Sequence, residues 1–283
     1  MSVFKAAVVQ MRSGTDVSEN IRTLEHLVRE AAAAGADYVQ TPEMTGLVQQ
    51  SRRAFFESIA SEADDLVKQA AARLAKELGI HLHIGSTPIS VEDGRAANRA
   101  FFVLPDGSIA ASYDKIHMFD VDLDNGESWR ESAVYRPGNH AVTVDAMDTR
   151  FGLAICYDVR FPQLHTDYAL RGADVLTCPS CFTRQTGQAH WHTLMRSRAV
   201  ETGSFMISAA QGGEHEDGRT TFGHSIIVNP WGEVIAEVTG ENPGFAMATI
   251  DTDEVKAARS KVPNLANRRV YSFIDSDQVE AVA

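Results

Sequence analysis

Strand-like and helix-like apolar stretches alternate along this chain, and their order restricts it to a layered α/β fold. Residues 5–11 are short and rich in Val and Ala, as a buried strand is. A helical stretch follows, with Asp16 or Ser18 as its N-cap, Ile21, Leu24, Leu27 and Val28 on one face, and Gly35 as its stop. Residues 36–41 form a second strand. A helix capped by Ser61 then carries Leu66, Ala70, Leu74 and Leu78 to Gly79, and residues 80–87 form a third strand. A hairpin of residues 98–104 and 108–115 turns on Asp106-Gly107. The second half repeats the order. Strands at 141–144 and 150–156 precede a helix at 162–170, a buried strand at 173–178, a helix at 190–202 and a strand at 204–210. A hairpin of 224–229 and 233–238 turns on Pro230-Trp231-Gly232, and a strand at 245–250 and a helix at 252–261 close the pattern. Crossover helices call for parallel pairing and hairpins for antiparallel edges, so the spacing predicts mixed sheets covered by helices. No linker rich in Pro, Gly or Ser divides residues 1–283, which read as a single domain with a C-terminal arm over about 263–283.

Composition narrows the function by exclusion. A formal charge of −12 disfavours nucleic acid and anionic membranes as partners. No apolar run reaches the ~20 residues of a membrane helix, and the first ten residues enter a strand without the layout of a signal peptide. The expectation is a cytoplasmic protein. Three cysteines make no disulfide framework.

One of those cysteines is placed as a nucleophile would be. The apolar run from Phe151 climbs to Cys156, turns polar at Tyr157, Asp158 and Arg160, and Pro162 opens a helix. Such an elbow exposes the side chain at its tip and aims free backbone N–H groups at whatever the thiol attacks. A free cysteine is also a common core residue, but the polar residues behind Cys156 are poor core material. A thiol needs a base or cation to act near neutral pH. Three segments at strand ends offer one: Thr41-Pro42-Glu43, Tyr113-Asp114-Lys115-Ile116-His117, and residues 127–132 with Glu131, ahead of Pro137-Gly138. Each alone reads as an ordinary surface charge. Their shared place at strand C-termini, where open α/β layers gather ligands, points to a site. Arg160 is expected to pair with Asp158 or another nearby acid.

Other signals are weaker. Cys178-Pro-Ser-Cys181 has redox or zinc spacing but only one pair, and fits better as a loop walling the site. His81 and His83 share a strand face without a carboxylate or cysteine ligand set, and His190 and His192 do not face each other on a helix. No metal or cofactor is expected.

These segments resemble the signatures of the nitrilase superfamily of carbon–nitrogen hydrolases. Glu43, Lys115 and Cys156 match that family's triad in order and surroundings, and Glu131 resembles its second glutamate. The likeness continues through Thr186-Gly187-Gln188-Ala189-His190-Trp191, Gly223-His224-Ser225 and Pro230-Trp231-Gly232. It implies a four-layer α-β-β-α sandwich that pairs into a homodimer or higher homo-oligomer. It also implies hydrolysis of a linear amide through a thioester. Glu43 would be the base, and Lys115 with the Tyr157 backbone N–H would hold the oxyanion. The runs after Lys115 and Cys156 are similar to the branch of small amidases that includes omega-amidase and deaminated-glutathione amidase. The implied partner is a small-molecule primary amide of a short carboxylate, with Arg184 as its carboxylate contact and Tyr113, Phe119 and Phe182 as apolar walls. Nitrile or N-carbamoyl-amide hydrolysis are the alternatives within the superfamily, and a non-catalytic binding role on the same fold is the alternative outside it.

Overall fold

The computed structural model describes residues 2–123, 126 and 128–274; Met1, Glu127 and the acidic end of the arm lie outside the described residues. The first half runs β1 (Val3–Gln10), α1 (Val17–Ala33), β2 (Tyr38–Gln40), α2 (Arg52–Ser58), α3 (Leu66–Leu78), β3 (His81–Ser90), β4 (Ala96–Val103) and β5 (Ile109–Asp114). A short ribbon of β6 (Asp120–Asp122) and β7 (Ser128–Arg130) follows. The second half runs β8 (Val142–Ala146), β9 (Thr149–Leu153), α4 (Pro162–Leu170), β10 (Val175–Thr177), α5 (Arg184–Thr202), β11 (Phe205–Ser208), β12 (Gly212–Glu214), β13 (Thr220–Phe222), β14 (Ile226–Val228), β15 (Val234–Glu237), β16 (Gly244–Asp251) and α6 (Asp253–Lys261).

Two six-stranded sheets result, ordered β16-β1-β2-β3-β4-β5 and β15-β14-β11-β10-β9-β8. Each has three parallel central strands, β1-β2-β3 and β9-β10-β11, with antiparallel neighbours outside them. β16 leaves the second half and pairs with β1 along all eight residues, so the last strand locks the first sheet. The two-residue period of β1 builds two cores at once. Ala6 and Val8 enter the core between the sheets, while Ala7 and Val9 enter the core beneath α1 and α3. Between the sheets the Tyr38 and Phe151 rings stack at 5.3 Å. The four-layer sandwich is therefore present, with α1 and α3 over one sheet and α4 and α5 over the other.

Several boundaries differ from the sequence reading for identifiable reasons. Asp16 caps α1, accepting from the backbone N–H groups of Ser18 (2.8 Å) and Glu19 (3.2 Å). α3 is capped by Asp65, which accepts from Lys68 N–H at 2.7 Å; Ser61 instead donates to Asp64. The loop after Glu43 contains a two-turn helix, α2, capped by Ser51. α5 starts at Arg184, six residues before His190, because Thr183 caps it and Gly187 lies in its first turns. That glycine breaks the helical pattern on paper. In the fold its missing side chain admits Phe222, whose Cβ lies 2.2 Å from where a Gly187 Cβ would be.

Candidate active site

Cys156 sits three residues beyond β9 in a left-handed conformation, φ 48°, and opens a 3-10 turn to Arg160 that leads into α4. A non-glycine residue there is strained, and such strain persists where the surroundings over-determine it. Here the Cys156 N–H donates to Pro179 O at 3.0 Å. Asp158, fully buried, accepts from Ile155 N–H (2.9 Å), Tyr113 Oη (2.6 Å) and His117 N–H (3.0 Å). One carboxylate thus fastens the elbow to the segment that carries Lys115.

The other three polar residues meet beside the thiol. Lys115 Nζ, 2% exposed, donates to Glu43 Oε1 at 2.9 Å and to Glu131 Oε2 at 2.8 Å and Oε1 at 3.0 Å. Asn98 Nδ2 donates to Glu43 Oε1 (2.8 Å) and Glu131 Oε1 (3.2 Å), tying both carboxylates together. Glu43 Oε2 accepts from the Cys181 N–H at 2.8 Å, and Glu131 Oε2 from the Phe119 N–H at 2.7 Å. Every oxygen of the two carboxylates therefore has a donor. Burial alone would lower the Lys115 pKa, but Glu131 and Glu43 outweigh it and hold it well above its usual value, so the ammonium stays charged. Burial, with Glu43 second, pushes the Cys156 thiol well above its usual value. The resting sulfur is a thiol, and attack requires a base to take its proton as the bond forms. Burial also raises Glu131, against the pull of Lys115.

Glu43, Lys115, Glu131 and Cys156 line one cavity of about 520 Å³, with Tyr157, Phe119 and Phe182 in its wall. Tyr113 does not line it: the hydroxyl is spent on Asp158, so the ring supports the elbow rather than a substrate. Arg184 is also outside the wall, its guanidinium held by Glu241 at 2.6 Å. Arg160 takes neither the role nor the partner expected of it. Asp158 is saturated by other donors, and Arg160 lines the cavity over the rings of Phe182 (5.5 Å) and Tyr157 (5.9 Å), with His190 Nδ1 at 3.3 Å. Arg219, paired with Asp217 at 3.2 Å and lying over Trp129, is another cation in the wall. Of the Cys178-to-Cys181 loop, Cys178 is buried, its Sγ 3.5 Å from Cys156 O, whereas Cys181 and Phe182 face the cavity. Sequence reasoning missed Asn98, Cys181 N–H, Arg160 and Arg219 as parts of this site. Asn98 had a signal, as a lone amide on the inward face of the β4 run with Ala100 and Phe102.

A strained cysteine at a strand-to-turn elbow shares one cavity with a lysine bracketed by two glutamates, a grouping of residue types that thiol chemistry can use. The chain belongs to the carbon–nitrogen hydrolase family, whose profile matches residues 5–260. It is 36% identical over 274 residues to a deaminated glutathione amidase of Synechocystis sp., covering 95% of this chain and 99% of that one. It is 34% identical over 269 residues to human omega-amidase NIT2, covering 95% and 96%. Among solved structures it superposes on the C. elegans NitFhit protein with a TM-score of 0.89 at 32% identity, covering 95% of this chain and 66% of that one. The chain is thus a nitrilase-superfamily amidase in class and fold. Among the described residues no helix is long and apolar enough to cross a membrane.

Proposed function

We propose that this protein hydrolyses a linear primary amide of a small carboxylate, of the deaminated-glutathione or omega-amidase type, through a thioester on Cys156. The observation that carries the reading is the cavity in which the Cys156 thiol, the Glu43 carboxylate and the Lys115 ammonium meet. Glu43 takes the thiol proton as sulfur attacks the amide carbon, then returns it to the departing nitrogen, so that ammonia leaves and the acyl group stays on sulfur. Lys115 and the Tyr157 N–H hold the oxyanion, where a single donor is commonly worth about 3 kcal/mol. Water, deprotonated by Glu43, attacks the thioester and releases the acid. Glu131 orients Lys115 and keeps it charged. Arg160 and Arg219 give the wall a positive side suited to a substrate carboxylate. Among the described residues Arg160 has no ion-pair partner, which leaves its guanidinium the better placed of the two to receive one. Exposed apolar residues on the outer helical layer, Leu170 and Val200, support pairing of two copies across that face.

The test is ammonia release from a panel of ω-amides of short dicarboxylates, nitriles and N-carbamoyl amino acids. Turnover is expected on the ω-amides and is expected to vanish in Cys156→Ala, while Glu131→Gln, deacylating slowly, should show the acyl mass on Cys156 by intact-protein mass spectrometry. Undiminished turnover in Cys156→Ala would sink the mechanism.

A further inference from the structure

A second cluster of chemistry-bearing side chains lies outside the cavity. His192 projects from α5, His224 from the segment between β13 and β14, and Glu237 from β15. His192 Nε2 lies 3.0 Å from Glu237 Oε1 and His224 Nδ1 lies 2.5 Å from the same oxygen. All three donor atoms fall within 4.8 Å of one another. We propose that His192, His224 and Glu237 form a binding site for a first-row divalent cation, with zinc the best fit.

The ligand chemistry favours it. Two imidazoles and one carboxylate suit zinc and its neighbours, whose ligand bonds of about 2.0–2.2 Å set tetrahedral edges of about 3.3 Å. The two N···O separations, 3.0 and 2.5 Å, need only a small opening to reach that. Each histidine would shift its proton to its other ring nitrogen and present a lone pair, so the metal replaces two N–H···O bonds onto one oxygen. The side chains are 39%, 24% and 21% exposed for His192, His224 and Glu237, which leaves room for water in the fourth position. Burial pushes Glu237 up, but hydrogen bonds from His224 and His192 outweigh it and hold the carboxylate below its usual range.

The scaffold is also braced without a metal. The His224 N–H donates to Gly240 O at 3.2 Å, and its carbonyl accepts from Trp191 Nε1 at 2.8 Å, which ties it to α5 beside His192. His224 holds φ at 58°, a costly conformation for a non-glycine residue, and its ring stacks on Phe222 at 4.4 Å. Glu237 is fixed by the pairing of β15 with β14, opposite Ile226. Three ligands from three mutually braced segments are preorganised in the way metal sites require.

The experiment is calorimetric titration of the full chain with Zn²⁺, and optical titration with Co²⁺, on the wild type, Cys156→Ser, His192→Ala and Glu237→Gln. One cation per chain is expected, with weak visible ligand-field bands, unchanged in Cys156→Ser. The affinity should fall roughly tenfold or more in each site variant. Zn²⁺ should raise the melting temperature of the wild type by clearly more than that of Glu237→Gln. Circular dichroism checks that the variants fold, and the conservative Glu237→Gln keeps the test open should His192→Ala fail to. Absence of a bound cation in the wild type, or equal affinity in wild type and Glu237→Gln, overturns the proposal. So does a Co²⁺ spectrum dominated by thiolate charge transfer, which would put the ion on cavity cysteines.

Discussion

At the scale of single residues, the site is governed by one buried ammonium shared between two buried carboxylates. Lys115 neutralises half of the negative charge that Glu43 and Glu131 bring, and the Asn98 amide lies on both carboxylates from the other side. Removing the lysine charge would leave two carboxylates buried together, which commonly costs 3–5 kcal/mol in stability, so Lys115→Met is expected to lower the urea midpoint sharply as well as abolish turnover. Asn98 is different: it exchanges no proton in the proposed mechanism and acts through Glu43, as a positioning residue. A hydrogen bond to a charged group is worth about 1.5–3 kcal/mol. Asn98→Ala is therefore expected to lower kcat by about ten- to a hundredfold, with KM nearly unchanged. A fall in stability with an unmoved kcat would make Asn98 structural only.

At the scale of elements, the helices and strands with strong periodicity and a terminal glycine were legible, and those shaped by contacts distant in sequence were not. α1 and α3 carry their own apolar stripe, and α3 ends on Gly79 in the left-handed conformation that the stop signal implies. α2 has a polar, arginine-rich sequence and only Phe55 buried, so nothing local marked it. The ribbons β6-β7 and β12-β13 are three residues per strand, too short for a two-residue period to stand out. The four segments matched to the family were legible because strand ends concentrate them. Arg184 and Tyr113 were misplaced because their partners, Glu241 and Asp158, lie 57 and 45 residues away. The first turns of α5 show the same lesson in a testable form. Helix propensity favours alanine over glycine by about 1 kcal/mol, so Gly187→Ala reads locally as stabilising. The new methyl would meet Phe222 at 2.2–2.8 Å, and such overpacking costs about 1–3 kcal/mol. Destabilisation is expected, with a raised KM, since Thr186 on α5 and Thr221 on β13 both line the cavity. Denaturant midpoints and steady-state kinetics on the one variant check both.

At the scale of the whole molecule, the two sheets are joined by a polar thread through an otherwise apolar interior. Tyr38, Gln40 and His83 hydrogen-bond one another from the first sheet at 2.9–3.3 Å, and Gln40 Oε1 accepts from Ala209 N–H, just past β11, at 2.8 Å. His83 is fully buried, and burial lowers its pKa to about 3. His165 on α4 is buried likewise and lowered to about 4, burial again leading. Both are neutral in the fold, whereas in the unfolded chain they would protonate near the ordinary value of 6.5. A depressed folded pKa gives stability that is present above the unfolded value and lost as pH falls. The loss therefore begins near pH 6.5 and continues down toward the folded values. Between pH 6.5 and 5 each histidine should remove about 2 kcal/mol. This falls above the range in which most carboxylates titrate, so the histidine contribution can be seen separately. Urea midpoints measured from pH 7.5 to 5 should drop in the wild type. His83→Gln and His165→Gln, which cannot protonate, should be less stable at pH 7.5 yet show a flatter decline, flattest in the double variant. Parallel declines in wild type and double variant would mean that other groups control the acid sensitivity of the sandwich.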